Sequence, residues 1–149
     1  MPITRTAMID DDGSGTTGTI LNNAWKQELY SQIDALITYG TFTPIDRSGA
    51  GLSFSTANGN YAKYGRWMSI WVHVTYPVTS NGSPAQIGGF PFPVGPDSGG
   101  VHGYGVPRMW YLPGAENMAL AKEITTGNPV SNTQMSGSTI IFTATYLTP

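Results

Sequence analysis

One stretch of the chain carries a helical period, and most of the rest carries the two-residue period of strands. Between Thr19 and Ile37, the residues Leu21, Trp25, Leu29, Ile33 and Leu36 recur at spacings of four and three. That spacing puts them on one face of an α-helix. Lys26, Gln27, Ser31 and Asp34 fall on the other faces. Thr19 is placed to accept from a free first-turn amide, and Gly40 to stop the helix. The rod would be roughly 28 Å long. Nothing later in the sequence has the same period, so the stripe must bury against the β domain that follows or against copies of itself.

Before the helix, residues 1–18 have no period, and Gly13, Gly15 and Gly18 among threonines predict an extended arm. After it, Thr41–Asp46 and Leu52–Ser55 predict short strands around the turn Arg47-Ser48-Gly49-Ala50-Gly51, and Asn58-Gly59 predicts a hairpin turn. Gly59–Tyr64 and Trp67–Tyr76 flank the break Gly65-Arg66. The second of these is the strongest strand. It sets Met68, Ile70, Val72, Val74 and Tyr76 on a core face, with Trp67, Ser69, Trp71, His73 and Thr75 opposite. Two indoles among polar groups suit an interface or a second packed layer, with a sugar-stacking platform as the alternative. Ala85–Gly89, Val101–Leu112, Met118–Ile124 and Thr139–Leu147 complete the set. The last has Ile140, Phe142, Ala144 and Tyr146 facing in. The prolines of Phe90–Gly100 bar that segment from a sheet interior, so a loop is expected whose Phe90 or Phe92 plugs the core.

The expected architecture is mainly β: an arm (1–18), a helix (19–40) and an antiparallel β-sandwich or jelly-roll-like head (41–149).

Thr4 through Tyr30, containing Asp10-Asp11-Asp12-Gly13-Ser14-Gly15-Thr16-Thr17-Gly18-Thr19 and Asn22-Asn23-Ala24-Trp25-Lys26, resembles the amino-terminal segment of a group of small tailed-phage virion proteins. In that group the segment precedes varied β domains. Gly59 through Arg66 and Ile87-Gly88-Gly89-Phe90-Pro91-Phe92 are similar to β-rich tip domains of phage fibres. The resemblance implies a virion surface protein, a homotrimer with a constant anchor and a variable head. It does not place the anchor on tail or capsid.

Composition sharpens this picture. Only 11% of the 149 residues are charged, against about 25% in an average domain, so neutral surface is expected to be covered by partner chains. A net charge of −2 without a basic run argues against nucleic acid, and no apolar run approaches the 18 residues of a membrane span. With no cysteine there are no disulfides or thiolate metal sites. The start, Met1-Pro2-Ile3-Thr4-Arg5, is unlike a signal peptide, as suits assembly into virions within a host cytoplasm.

The motifs predict no enzyme, cofactor or metal. Asp10, Asp12, Ser14 and Gly15 match the opening of a calcium loop, but Leu21 stands where the bidentate Glu belongs and no helix precedes it. That leaves a solvated acidic turn. His73 and His102 lack further ligands at metal spacing, and Gly13-Ser14-Gly15 lacks the strand–turn–helix context of a nucleophile elbow. Asp46, Asp97, Glu116 and Glu123 supply no carboxylate inside an apolar strand.

Three sets of residues are therefore expected to matter. Ile3, Arg5, Met8, Ile9, Asp10 and Asp12 would anchor the arm to other virion proteins. Leu21, Trp25, Leu29, Ile33, Leu36, Trp67 and Trp71 would join copies of the chain. Asp97, Ser98, His102 and Tyr104, with the outward one of Trp110 and Tyr111, would meet a host glycan. In the alternative, the head decorates or cements a capsid without a specific ligand.

Overall fold

The computed structural model describes residues 23–96 and 108–149. The anchoring residues Ile3, Arg5, Met8, Ile9, Asp10 and Asp12, the acidic turn and Leu21 lie outside the described residues. So do Asp97, Ser98, His102 and Tyr104. The chain divides into two compact units, Met1–Thr38 and Tyr39–Pro149.

In the first unit the helix α1 runs Asn23–Leu36. It yields directly to strand β1 (Ile37–Phe42), three residues before the expected stop at Gly40. The cause is local. Ile37-Thr38-Tyr39-Gly40-Thr41-Phe42 is β-branched or aromatic at every site but Gly40, a composition that favours strand over a further helical turn. Leu29, Ile33 and Leu36 are exposed.

The second unit is mainly β, and the pairings between its strands are antiparallel. Strands β2 (Ile45–Asp46), β3 (Thr56–Tyr64), β4 (Trp67–Thr75), β5 (Gln86–Gly88), β6 (Arg108–Tyr111), β7 (Met118–Glu123) and β8 (Thr139–Leu147) follow in order. They form two four-stranded sheets, β1-β3-β4-β8 and β2-β5-β7-β6. The expected strand Thr41–Asp46 is split between the two. Pro44 has no amide hydrogen for a ladder, so the chain leaves one sheet after Phe42 and enters the other at Ile45. Leu52–Ser55 is no strand; Leu52 and Phe54 instead pack their side chains against the core from a loop.

The alternation in β4 and β8 is realised as expected. Met68, Ile70, Val72, Val74, Ile140, Phe142, Ala144 and Tyr146 are buried, and they share one core with Ile87, Trp110, Ala119 and Ala121 of the other sheet. Each large apolar side chain so buried contributes about 1.5–3 kcal/mol. The proline-rich loop closes one end. Phe90 is buried edge-on to Phe42, and Tyr146 Oη donates to the Phe92 carbonyl at 2.9 Å.

The Asn58-Gly59 hairpin does not exist. Both residues lie mid-strand in β3, with Gly59 opposite Val72. The glycine serves packing, because a Cβ there would stand 2.5 Å from the Phe42 ring. The β3–β4 turn is Gly65-Arg66, joining the pair Tyr64 and Trp67. Gly65 has φ of +56°, and positive φ at the first loop residue alone marks a type II′ turn.

A second helix, α2 (Asn132–Met135), was not expected. Its four residues are too few to show a period. It is announced by a capping box, in which Ser131 accepts from the Gln134 amide while the Gln134 side chain accepts from the Ser131 amide. Asn132 is fully buried, and its Nδ2 donates to Ser48 Oγ at 2.9 Å and Asn81 Oδ1 at 3.0 Å. Ser48 in turn donates to Asp46 Oδ1 at 2.6 Å, so this polar chain fastens α2 to the loops that follow β2 and β4.

Candidate functional site

Strand pairing fixes what the outward face of the β1-β3-β4-β8 sheet presents. Trp71 of β4 stands directly between Asn60 of β3 and Thr143 of β8, while His73 stands between Asn58 and Ile141. Asn58 and Asn60 are exposed, and Trp71 and His73 are half-buried. The His73 ring meets the indole of Trp71 edge-on, with centroids 5.8 Å apart, which limits how the indole can turn.

Beside the indole is a cleft of about 580 Å³, lined by Thr41, Thr43, Asn58, Asn60 and Trp71 over a floor that includes Gly59 and Phe42. On the other side of Trp71, Asn60 and Thr143 border a shallower depression of about 270 Å³. Ligand clefts usually hold about 300–1,000 Å³. Among the described residues, no Lys, Arg, His, Asp or Glu side chain lines either one, and Tyr61 is the one titratable group, at the smaller depression. Among the described residues, no group of three or more His, Cys, Asp or Glu side chains could hold a metal ion.

Toward one end of the face, Trp67 and Tyr64 project into solvent, 57% and 62% exposed. Ile141 and Leu147 of β8 are exposed as well. The two expected interface indoles thus differ: Trp67 stands free, whereas Trp71 is set into the sheet. On the helix, Leu29, Ile33 and Leu36 are exposed, and the side chain of Trp25 lies outside what the structure describes.

Of the expected glycan patch, Trp110 must be withdrawn. It is wholly buried and stacked on Phe142, because the inward phase of β6 falls on Trp110. Tyr111 takes the outward phase, half-buried, with Lys122 Nζ 4.4 Å from its ring centroid. The residues that the structure gathers around an aromatic platform are instead Asn58 and Asn60. The signal for them was available: Thr56, Asn58, Asn60, Ala62 and Tyr64 alternate with Ala57, Gly59, Tyr61 and Lys63.

Two phenols have raised pKa values. Burial is the main cause for Tyr76, with the negative charge of Asp46 adding to it. Burial alone acts on Tyr146. Both sit in the core, so neither is available to a ligand.

No protein-family model matches the chain, and no curated protein is significantly similar to it.

Proposed function

We propose that this chain is a phage virion structural protein, a homotrimer anchored through its N-terminal segment, whose β-sandwich head meets a host-surface glycan. The observation that carries the trimer is the row Leu29, Ile33 and Leu36, exposed in the single chain at 37%, 37% and 46%. A helix keeps such a row in water only at a cost, and threefold association removes it. The sandwich is supported by the Trp110–Phe142 stack between residues of different sheets. Attachment is supported by the clefts beside Trp71, whose described linings carry amides, hydroxyls and aromatic rings but no Lys, Arg, His, Asp or Glu.

Capsid decoration is the second reading, and the same anchor and trimer would serve it. Cryo-electron microscopy of intact particles, with the chain located by antibody, tests both. Density at a tail tip supports attachment, density over the capsid lattice supports decoration, and absence from purified particles overturns both. Deletion of residues 1–18 is expected to leave the head folded and keep the protein off particles.

A further inference from the structure

We propose that the Trp71 cleft is a binding subsite for a neutral oligosaccharide. This rests on the attachment reading only in expecting a glycan at all; the place and the ligand chemistry come from the sheet. Thr41, Thr43, Asn58 and Asn60 surround the larger depression with two hydroxyls and two carboxamides. Among the described residues, none of these four side chains has a hydrogen-bond partner. Each carboxamide offers two donors and an acceptor, and each hydroxyl offers both. Vicinal sugar hydroxyls demand that mixture, since every one of them donates and accepts.

The spacing suits the same ligand. Asn58 and Asn60 are two residues apart on one strand, so their amides rise about 7 Å apart on the same face. Asn60 is the direct cross-strand neighbour of Trp71, which puts an amide at the edge of the indole. A pyranose stacked on the ring by its C–H face would turn its equatorial hydroxyls toward those amides.

Trp71 and Asn60 also border the second depression, which adds Ser69 and Thr143. Two adjoining depressions that share a wall suit a chain of sugar rings better than a single one. Among the described residues, neither lining holds a lysine, arginine or carboxylate, which disfavours phosphate, sulfated glycans and cations alike. The indole does not stand clear of the surface as Trp67 does, so it is built into a receptacle and not into a knob.

The test uses the full-length protein with maltotriose, lactose, cellotriose and chitotriose as probes, and 3′-sialyllactose as an acidic control. Binding is read by saturation-transfer NMR and titration calorimetry. At least one neutral probe is expected to bind at millimolar concentration or below, with the sialylated probe no better. Trp71→Ala, and Asn58→Ala with Asn60→Ala, are each expected to weaken binding by about tenfold or more, while Trp71→Phe retains part of it. Trp67→Ala and Tyr111→Ala should leave it unchanged.

Binding that survives Trp71→Ala, or that is lost with Tyr111→Ala, overturns the proposal. So does the failure of every neutral probe. A change in oligomeric mass in the Asn58/Asn60 double variant also overturns it, because the face would then be an interface between copies. Light scattering and particle localisation test the attachment reading separately, so a particle-bound trimer that binds no saccharide overturns the cleft alone.

Discussion

The indole of Trp110 lies nearly parallel to the ring of Phe142, with centroids 4.5 Å apart and 13° between planes. Trp110 belongs to β6 and Phe142 to β8, strands of different sheets, so this pair ties the two sheets through the centre of the core. Both residues are wholly buried. Trp110→Ala or Phe142→Ala should each destabilise the head by about 3–5 kcal/mol. Their stacking should appear as a coupling of about 0.5–1.5 kcal/mol in a double-mutant cycle. Denaturant unfolding of the two single variants and the double variant measures it; strict additivity would mean that the rings are neighbours without interaction.

Gly59→Ala should also destabilise, although it adds only one methyl group in mid-strand. The new Cβ would stand 2.5 Å from the Phe42 ring. Phe42 is itself held edge-on to Phe90, so it cannot simply swing aside. Overpacking of this kind costs about 1–3 kcal/mol. Phe42→Leu in the same chain should recover part of the loss, whereas strand propensity alone predicts a gain for Gly59→Ala. Thermal melts of the wild type and the two variants separate these outcomes.

The two positions also show what was legible in the sequence. β4 and β8 alternate strictly because each buries one whole face, and there the period-2 pattern gave the core residue by residue. Asn58-Gly59 misled because an Asn-Gly pair signals a turn locally, while here the glycine answers to Phe42, a residue 17 positions earlier in the chain. The helix end misled for the opposite reason. Ile37 continues the apolar spacing of α1, but its own neighbours favour a strand. As for the site, Trp71 was visible as an odd residue on a polar face. Asn58 and Asn60 were hidden by their assignment to a turn or its border. The phase of Trp110 could not be read from a four-residue strand following glycines and a proline; only the ring beneath it decides.

The faces of β4 give a direct test of that alternation. Val72 is fully buried opposite Gly59 and Phe142, whereas Ser69 is exposed. Val72→Asp should prevent folding, since an unpaired carboxylate in that core costs several kcal/mol. Ser69→Asp should cost within about 0.5 kcal/mol. Circular dichroism and urea titration compare them, and equal losses would mean that the outward face is also buried in the assembled protein.

Alkaline pH should loosen the fold through its buried phenols. Tyr76 and Tyr146 both keep their protons above the ordinary tyrosine value because burial penalises the anion. The unfolded chain releases those protons near pH 10. Above that value the folded state binds more protons than the unfolded state, so stability falls as pH rises. Below about pH 10 their contribution is fully present. Tyr76 alone should impose a slope of up to about 1.4 kcal/mol per pH unit. Its hydroxyl has no hydrogen-bond partner among the described residues. Tyr76→Phe should therefore be neutral or stabilising at pH 8 and flatten the alkaline slope. Tyr146→Phe forfeits the bond to the Phe92 carbonyl and should cost about 1 kcal/mol at pH 8. Urea midpoints at pH 8 and pH 11 would refute this if Tyr76→Phe lost as much stability between the two as the wild type.

The proposed trimer is tested at the helix. Leu29, Ile33 and Leu36 follow one another at spacings of four and three on α1, and all three are exposed. Glu28 and Gln32 are bonded to each other at 2.8 Å, so part of the polar surface of α1 is already satisfied within the helix. Among these residues it is the apolar row that lacks cover. Burying it between copies would remove leucine and isoleucine surface worth about 25 cal/mol per Å². Ile33→Asp should undo this, because three carboxylates would then meet at one level of the seam. Sedimentation equilibrium should find a trimer for the wild type and a monomer for Ile33→Asp. The β unit, Tyr39–Pro149, should keep its melting transition in the variant. If the wild type is a monomer at micromolar concentration, the trimer is wrong and the row must be covered by a different protein. If Ile33→Asp remains trimeric, the copies meet through the heads, with Trp67 and Tyr64 as the next residues to change.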